Sequence, residues 1–265
     1  MVAHNCKHIV KRPLKLLNRC LLRSSCSLRV HSKTITTKAA VIVAPHPDDE
    51  VFGTGGLIAL KRESGIPVTV VFLTDGEASH RNCCNIKSAD VARNRRRIAY
   101  EAAHCIGLDP QSQSWVGLPD GNIPRLGRNG FDQAVVKVLE QLDKTSAQEV
   151  YCPHPLDCWP DHETGSQITV EAVRRWGKRC PIHFYFVWAW YNLPLHWVPR
   201  LGLRNAWQLD IKSVLHIKQA AIREYLASVV PGCGRPYVGT LPPGFLVPFH
   251  KPYEVFFKYN AKKNC

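Results

Sequence analysis

Acidic residues are absent from the first 47 positions of this 265-residue sequence, and the first carboxylate is Asp48. The same segment holds nine lysines and arginines, so only about +5 of the formal net charge of +14 belongs to the remainder. After Pro13 the residues follow a helical period. Its basic stripe is Lys11, Lys15, Arg19 and Arg23, opposite Leu14, Leu17, Leu21 and Leu28. We therefore predict a basic amphipathic N-terminal arm over residues 1–37.

The arm has three interpretations. It could lie on an anionic membrane surface as a peripheral helix, act as an organellar targeting segment, or remain a solvated, partly disordered extension. A secretory signal is disfavoured because charges interrupt the apolar run. Nucleic acid is disfavoured as a partner, since no recognised binding motif accompanies the charge. We expect a cytoplasmic protein, with membrane contact or organellar targeting through the arm as alternatives.

Other absences narrow the class of protein. No stretch approaches eighteen consecutive apolar residues, so a membrane-spanning helix is not expected. The 11 cysteines are odd in number and follow no regular spacing, which indicates mostly reduced thiols rather than a disulfide framework. The sequence contains no internal repeat and no low-complexity linker. Its length and its 45% hydrophobic content suffice for one sizeable core, so we assign residues 38–265 to one domain.

Strand and helix patterns alternate from residue 39 onward. The strand patterns are AAVIVAP, PVTVVFLTDG, SQSWVGLPDG, AQEVYCPHP and IHFYFVWAWY, and the helical patterns are GGLIALKRESG, SADVARNRRRIAYEAAHCIGL, GFDQAVVKVLEQLDK and HETGSQITVEAVRRWG. Strands that alternate with helices of this length predict βαβ units. The expected fold is α/β, a single three-layer domain with a mostly parallel, Rossmann-like sheet. Its active site is expected at the carboxyl ends of the strands.

Three polar clusters follow predicted strands, namely PHPDDE, TDGE and PHPLDCWPDHETG. A catalytic zinc ion typically has three protein ligands and one open position. A turn at Pro47 can present His46 and Asp49 to one ion, with His162 as a third ligand from a neighbouring strand end. Asp48 is then free to take a proton from a metal-activated water, which is a hydrolytic arrangement.

Other interpretations of the same residues remain open. The acids of PHPDDE could simply complement a helix dipole. Cys152, His154, Cys158 and His162 could form a structural zinc knot, although their spacing does not match the usual pairs. The glycines of GTGG lack the lysine of a phosphate-binding loop. We expect them to let the backbone turn tightly beside the metal.

The segment VIVAPHPDDEVFGTGG resembles the signature of the PIG-L/LmbE-like zinc deacetylases, which remove acetyl groups from N-acetylglucosamine-containing conjugates. The resemblance continues in VVFLTDGE, RNRRRIAYEAAHCIGL, VGLPDG, DCWPDH, IKQAAIREYLAS and PYEVFF, and so spans about residues 39–257. It implies Zn²⁺ held by His46, Asp49 and His162, with Asp48 as general base. It also implies that Arg95 and Asp120 lie near the substrate.

One position departs from the family pattern. Trp159 stands where the family motif usually has a histidine that assists the developing oxyanion. Indole donates one hydrogen bond and does not titrate, so His154 becomes a candidate replacement donor. Trp159 could instead stack on a sugar ring or serve as an apolar wall. The alternative function is therefore a catalytically weak or inactive sugar-binding member of the same fold.

The resemblance implies an N-acetylated amino sugar conjugate as substrate. The positive charge and the basic arm favour an anionic or lipid-linked conjugate at a membrane surface.

Overall fold

A computed structural model describes residues 31–259 of the protein. The helix predicted after Pro13 therefore lies outside the described residues. The last seven residues of the predicted arm, 31–37, are described, and three of them form an edge strand. The division into an arm and a domain at residue 38 stays a prediction.

Eight strands form one sheet. They are β1 His31–Lys33, β2 Ala40–Ala44, β3 Val68–Thr74, β4 Gln113–Leu118, β5 Glu149–Pro153, β6 Ile182–Tyr185, β7 Ala206–Asp210 and β8 Tyr253–Lys258. Their spatial order is β1-β7-β8-β6-β5-β2-β3-β4. All neighbouring pairs are parallel except those made by β8, which runs antiparallel to β6 and β7. The predicted single α/β domain with a mostly parallel sheet is confirmed.

Six α-helices connect these strands within residues 31–259. They are α1 Asp49–Glu63, α2 Ser88–Cys105, α3 Phe131–Lys144, α4 Pro160–Trp176, the short α5 Ala189–Asn192 and α6 Leu215–Ala227. Helix α6 packs against both α1 and α2, and α3 packs with α4. Single-turn 3₁₀ helices lie at Pro110–Ser112, Leu203–Asn205, Lys212–Val214 and Val247–His250, with a longer one at Leu195–Leu201. Within the same part of the chain, no helix combines the length and the apolarity that a membrane crossing requires.

The strand order reverses between β2 and β5. From β2 the chain proceeds outward through β3 to β4, and then returns to place β5 on the other side of β2. A crevice opens at such a switch point, outside the carboxyl ends of the two strands. The loops that follow β2 and β5 carry PHPDDE and PHPLDCWPDH. The topology therefore brings together the two richest polar clusters of the sequence.

Helix α1 begins earlier than the sequence predicts. It starts at Asp49, directly after the strand-end turn, so the glycines of GTGG lie inside the helix. The expectation that they form a tight turn beside the metal is wrong. They allow close packing instead, because a Cβ on Gly53 would lie 2.2 Å from the Tyr185 ring and one on Gly56 2.6 Å from Ile211.

The pattern IHFYFVWAWY also forms less strand than predicted. Strand β6 ends at Tyr185, and the helix α5 follows within the same run of residues. The backbone N–H groups of Val187 and Ala189 donate to Asp157. A buried carboxylate therefore satisfies backbone groups that a continuing strand would have paired.

A buried ion pair contacts the backbone of α1. Lys218 Nζ is 2.6 Å from Glu254 Oε1 and 2.8 Å from the carbonyl oxygen of Phe52. The carboxylate of Glu254 accepts the backbone N–H groups of Gly56 and Leu57 at 2.7 and 2.9 Å. The pair thereby links α1 to α6 and β8, and it holds the helix that begins at Asp49.

Candidate active site

Three side chains predicted as metal ligands converge where β2 and β5 end. His46 lies in the turn after β2, Asp49 is the first residue of α1, and His162 lies in the first turn of α4. His46 Nδ1 is 3.2 Å from Asp49 Oδ2. His162 Nε2 is 3.1 Å from the same oxygen and 3.3 Å from His46 Nδ1. All three residues are buried, so their ligand atoms form a compact, enclosed triangle.

The triangle has dimensions suited to a tetrahedral metal ion. Zinc binds nitrogen and oxygen ligands at about 2.0–2.2 Å, which places neighbouring ligand atoms of a tetrahedron about 3.4 Å apart. The observed separations run from 3.1 to 3.3 Å. A catalytic zinc site typically has three protein ligands, such as two imidazoles and one carboxylate, and leaves the fourth position open. The residues therefore fit the ion that the sequence predicts.

Asp157 orients the ring of His162. Its Oδ2 is 2.6 Å from His162 Nδ1, so the ring donates there and turns Nε2 toward the triangle. Carboxylates in this position fix the tautomer of metal-binding histidines and raise their basicity. Sequence reasoning missed Asp157, although it lies in DCWPDH. Its role depends on the backbone of residues 187–189, which no local pattern reveals.

Electrostatics in the cluster favour a cation. Burial opposes the charged forms of both Asp49 and His162, but their mutual attraction outweighs it. The pKa of Asp49 is held well below its usual range. Together with Asp157, Asp49 raises the pKa of His162 to about 9. A metal ion would occupy the same negative potential that otherwise attracts a proton to the ring.

Asp48 is directed away from the ligand triangle by its backbone. Its φ of 134° lies in a region that L residues rarely adopt, at a cost of about 1–3 kcal/mol. The strain separates two adjacent carboxylates, because Asp48 Oδ2 lies 3.1 Å from Arg95 Nη2 while Asp49 faces the histidines. Burial raises the pKa of Asp48 to about 7, against the opposing charge of Arg95. Such a group can accept and return a proton near neutral pH.

Arg95 forms a buried ion pair with Asp48. It is only 3% exposed, and its guanidinium donates to Asp48 and to the carbonyl oxygens of Pro47 and Gly76. Arg95 was predicted to lie near the substrate. Its contacts make it a charge partner of the candidate base and a brace for the turn after β2.

Glu50, which the sequence left without a role, supports the strained turn. Its Oε2 accepts the backbone N–H of Asp48 at 2.9 Å, and the hydroxyl of Tyr225 donates to its Oε1. Burial raises the pKa of Glu50 to about 8, against the hydrogen bond from Tyr225. Both contacts hold the backbone conformation that separates Asp48 from Asp49.

Two further carboxylates contact the other nitrogen of His46. His46 Nε2 is 3.1 Å from Asp120 Oδ1 and 3.2 Å from Asp161 Oδ2. The backbone N–H groups of Ala78 and Gly121 also donate to these two carboxylates, at 2.7 Å each. His46, Asp120 and Asp161 could hold an ion themselves. We favour the triangle with His162. There His46 faces the ion through Nδ1, and its Nε2–H remains free to donate to Asp120 and Asp161. Sequence reasoning placed Asp120 near the substrate and missed Asp161.

The family profile described as GlcNAc-PI de-N-acetylase, PIG-L, matches residues 41–173. This range includes the two loops that supply the ligand triangle and Asp48. The chain belongs to the PIG-L family. The resemblance noted from the sequence is thereby confirmed.

Individual relatives differ in what their names state. The chain is 31% identical over 163 residues to the 1D-myo-inositol 2-acetamido-2-deoxy-alpha-D-glucopyranoside deacetylase of Nocardia farcinica, covering 54% of each. It is 26% identical over 140 residues to a probable N-acetyl-alpha-D-glucosaminyl L-malate deacetylase 2 of Bacillus subtilis, covering 51% of this chain and 60% of that protein. The chain thus spans just over half the length of these curated relatives.

A solved structure extends the likeness of the fold. The N,N'-diacetylchitobiose deacetylase of Pyrococcus horikoshii superposes with a TM-score of 0.62 at 18% identity, covering 96% of this chain and 94% of that one. At this identity the comparison supports the fold alone.

Trp159, where the PIG-L pattern usually has histidine, lies at the edge of the site. It precedes the first residue of α4 and is 37% exposed. Its ring stacks on Trp188 with centroids 4.5 Å apart and an angle of 14° between the planes. The backbone N–H of Trp188 donates to Asp157, the carboxylate that orients His162. The two indoles form an aromatic surface beside the ligand triangle.

His154, the other candidate oxyanion donor of this PIG-L chain, is not brought to the ligand triangle. Its ring packs against Phe184, Phe186 and Phe257, with centroid distances of 5.1–5.4 Å. Burial lowers its pKa to about 3, and its Nδ1 accepts the backbone N–H of Leu156. Among residues 31–259, no group of metal-type ligands combines His154 with Cys152, Cys158 and His162, so the zinc-knot alternative finds no support.

Burial of neutral His154 predicts a pH-dependent stability. The unfolded ring binds a proton near its ordinary pKa of 6.5, whereas the folded ring does so only near 3. Because the unfolded state binds more protons in this window, the free energy of unfolding falls as the pH falls. We expect wild type to lose up to about 1.4 kcal/mol per pH unit more than His154→Gln between pH 6 and pH 4. Urea unfolding of both proteins at several pH values measures the difference, and parallel curves would contradict the assignment.

A polar groove opens next to Asp161. Its volume is about 680 Å³. Asn122, Arg125, Arg128 and Asn129 line it. Because Asp161 also contacts His46, the groove lies next to the candidate ligand triangle.

Proposed function

We propose that the protein is a metal-dependent N-deacetylase that removes acetyl from an N-acetylglucosamine-type conjugate. The observation that carries the proposal is the ligand triangle of His46, Asp49 and His162 beside the separately held carboxylate of Asp48. Membership of the PIG-L family supports it, as do the deacetylase names of the two relatives.

In this proposal His46, Asp49 and His162 hold Zn²⁺. The ion, when bound, would polarise the acetamide carbonyl and lower the pKa of an attacking water. Asp157 keeps His162 Nε2 free for the ion, while Asp120 and Asp161 accept from His46 Nε2.

Asp48 acts as general base and then as general acid in this proposal. Its carboxylate accepts one proton from the water as the water oxygen attacks the carbonyl carbon. It returns that proton to the sugar nitrogen as the carbon–nitrogen bond breaks, so acetate and a free amine leave. Arg95 keeps Asp48 directed toward this position and stabilises its ionised form before the first transfer and after the second.

The conjugate is proposed to carry an anionic group. The groove beside Asp161 presents Arg125 and Arg128, and arginine binds phosphate or carboxylate with paired hydrogen bonds. The surface formed by Trp159 and Trp188 offers a ring face on which a sugar can stack.

The arginines of the groove provide a test of substrate charge. Replacing Arg125 and Arg128 together with glutamine is expected to raise the KM for an anionic N-acetylglucosamine conjugate about tenfold or more, because charge-assisted hydrogen bonds are lost. The KM for a neutral N-acetylglucosamine glycoside should change little. Arg97→Gln, which removes an exposed arginine paired with Glu101 on α2, is the matched control. Equal changes for both substrates would contradict an anionic preference.

We also propose that the basic arm contacts anionic membrane, which would place a lipid-linked conjugate within reach. Deletion should stop before His31, since His31–Lys33 pairs with β7. Removing residues 1–30 is expected to reduce binding to phosphatidylserine-containing vesicles at least severalfold, because seven lysines and arginines are lost with them. Sedimentation with these vesicles and with neutral ones measures the effect. Unchanged binding to the anionic vesicles would contradict a surface role.

The proposed activity is tested by incubating the zinc-loaded chain with N-acetylglucosaminyl conjugates of inositol, of malate and of a second sugar. Equal amounts of acetate and free amine are expected from at least one of them. Tight binding of a conjugate without turnover would instead support the alternative, a sugar-binding member in which Trp159 has replaced the usual histidine.

A further inference from the structure

A second group of metal-type ligands lies outside the candidate active site. Cys83 and Cys84 are adjacent in the loop between β3 and α2, and His80 precedes them in the same loop. Cys233 lies in the segment after α6. One ligand atom from each of the four residues lies within 4.8 Å of those of the other three. His80 Nδ1 is 3.8 Å from Cys84 Sγ and 3.9 Å from Cys233 Sγ.

Local backbone structure brings these residues together. A turn in the loop joins the N–H of Cys83 to the carbonyl oxygen of His80 at 3.1 Å. The segment after α6 folds back on itself, since the N–H of Val230 donates to the carbonyl oxygen of Arg235 at 2.8 Å. Cys233 lies at the tip of this hairpin. The four ligand residues therefore join two segments that are about 150 positions apart in the sequence.

The ring of His80 is oriented as a ligand. His80 is 2% exposed, and its Nε2 is 2.9 Å from the carbonyl oxygen of Pro236. A carbonyl only accepts hydrogen bonds, so Nε2 carries the proton and the lone pair of Nδ1 faces the sulfur atoms. Metal-binding histidines are usually held in this way by a backbone carbonyl.

The spacing and the charge of the cluster fit zinc. With zinc–sulfur bonds of about 2.3 Å and zinc–nitrogen bonds of about 2.0–2.1 Å, a tetrahedron separates nitrogen from sulfur by about 3.6 Å. Both measured separations from His80 Nδ1 lie within a few tenths of an ångström of that value. Three thiolates exceed the charge of the ion by one unit, and Arg235 Nη1, 3.4 Å from Cys83 Sγ, offsets the excess.

We propose that His80, Cys83, Cys84 and Cys233 bind one Zn²⁺ as a closed structural site. Three thiolates and one imidazole fill all four positions of the tetrahedron, so no position is left for substrate. This site is separate from the proposed catalytic centre, and it makes the expected zinc content two per chain rather than the one that the deacetylase centre requires.

The structural site would stabilise one wall of the catalytic centre. The loop that carries its ligands also carries Ala78, whose N–H donates to Asp120 Oδ2 at 2.7 Å. Asp120 in turn contacts His46. The hydroxyl of Ser79 donates to the carbonyl oxygen of Tyr237, which ties the loop to the segment that carries Cys233. Zinc bound at the cysteines would hold the loop of residues 78–84 against the segment that carries Cys233.

Cobalt substitution tests the proposal on the 265-residue chain. Reduced, metal-free protein is titrated with Co²⁺, and the thiolate-to-cobalt charge-transfer absorption is recorded. The His46 centre has no sulfur ligand, so it contributes nothing to this absorption. We expect a band that saturates at one Co²⁺ per chain, is displaced by Zn²⁺, and is lost in Cys233→Ser and Cys84→Ser. Cys180→Ser, which removes a partly buried thiol outside the cluster, should keep the band.

The outcomes separate this site from the catalytic one. His162→Gln should lose one zinc per chain and keep the cobalt band, whereas Cys233→Ser should lose the other zinc and the band. Because the band is read on wild type, the proposal stays testable even if a cysteine variant fails to fold. No band in reduced wild type, an unchanged band in Cys233→Ser, or a Cys–Cys cross-link between these residues in the protein as purified would overturn it.

Discussion

Replacing Asp48 with asparagine is expected to lower the rate of acetate release by about a hundredfold to ten thousandfold, the usual contribution of a positioned general base. The amide cannot accept the proton of the attacking water. The fold should persist, because asparagine tolerates positive φ at least as well as aspartate. Its oxygen can also still accept from Arg95. Zinc content should therefore stay at the wild-type value while turnover falls.

Asp75→Asn is the matched control for this result. Asp75 follows the neighbouring strand β3 and forms an ion pair with Arg96, with two contacts of 2.9 Å, much as Asp48 pairs with Arg95. It lies outside the ligand triangle, so its replacement should leave acetate release near wild type. Wild-type turnover in Asp48→Asn, or equal losses in both variants, would contradict the assignment of the base.

Replacing Lys218 with methionine is expected to lower the free energy of unfolding by about 3–5 kcal/mol. The change leaves the carboxylate of Glu254 buried, at 4% exposure, without its counter-charge. It also removes the donor to the carbonyl oxygen of Phe52 in α1. Denaturant unfolding measures the loss. The double variant Lys218→Met with Glu254→Gln should recover part of it, because no unpaired charge then remains.

An exposed ion pair serves as the comparison. Lys178 Nζ lies 2.8 Å from Asp143 Oδ1, but both side chains are about 60% exposed. Lys178→Met should destabilise the protein far less, since water solvates the aspartate that remains. Equal losses in the free energy of unfolding for the two lysine variants would contradict the claim that burial makes the Lys218–Glu254 pair more stabilising than the exposed pair.

The parts of the fold that follow from local pattern were predictable. Strand β2 is a run of five buried apolar residues, and such a run predicts a buried strand from the sequence alone. Parallel pairing then follows from alternation with helices. The start of α1 was not predictable, because local sequence disfavours a helix through the glycines of GTGG. The helix needs them there for close packing against Tyr185 and Ile211, which lie more than a hundred positions away. Strand β7 also escaped the sequence patterns.

The candidate site divides in the same way. Residues of the two strand-end motifs, such as His46 and His162, could be predicted because a metal limits the chemistry and the spacing of its ligands. Asp157, Asp161 and the pair of Glu50 with Tyr225 could not, since their roles are set by contacts with distant backbone or side chains. Cys83 and Cys84 were visible as a pair, but only the folded chain brings Cys233 to them.

Acetate release before and after metal removal measures whether deacetylation depends on the ion held by His46, Asp49 and His162. The 265-residue chain is assayed with an N-acetylglucosamine conjugate as purified, after chelation, and after Zn²⁺ is restored. We expect activity to disappear when the His46 centre loses its metal and to return when zinc refills it. Undiminished acetate release from protein shown by mass spectrometry to be free of metal would contradict this dependence.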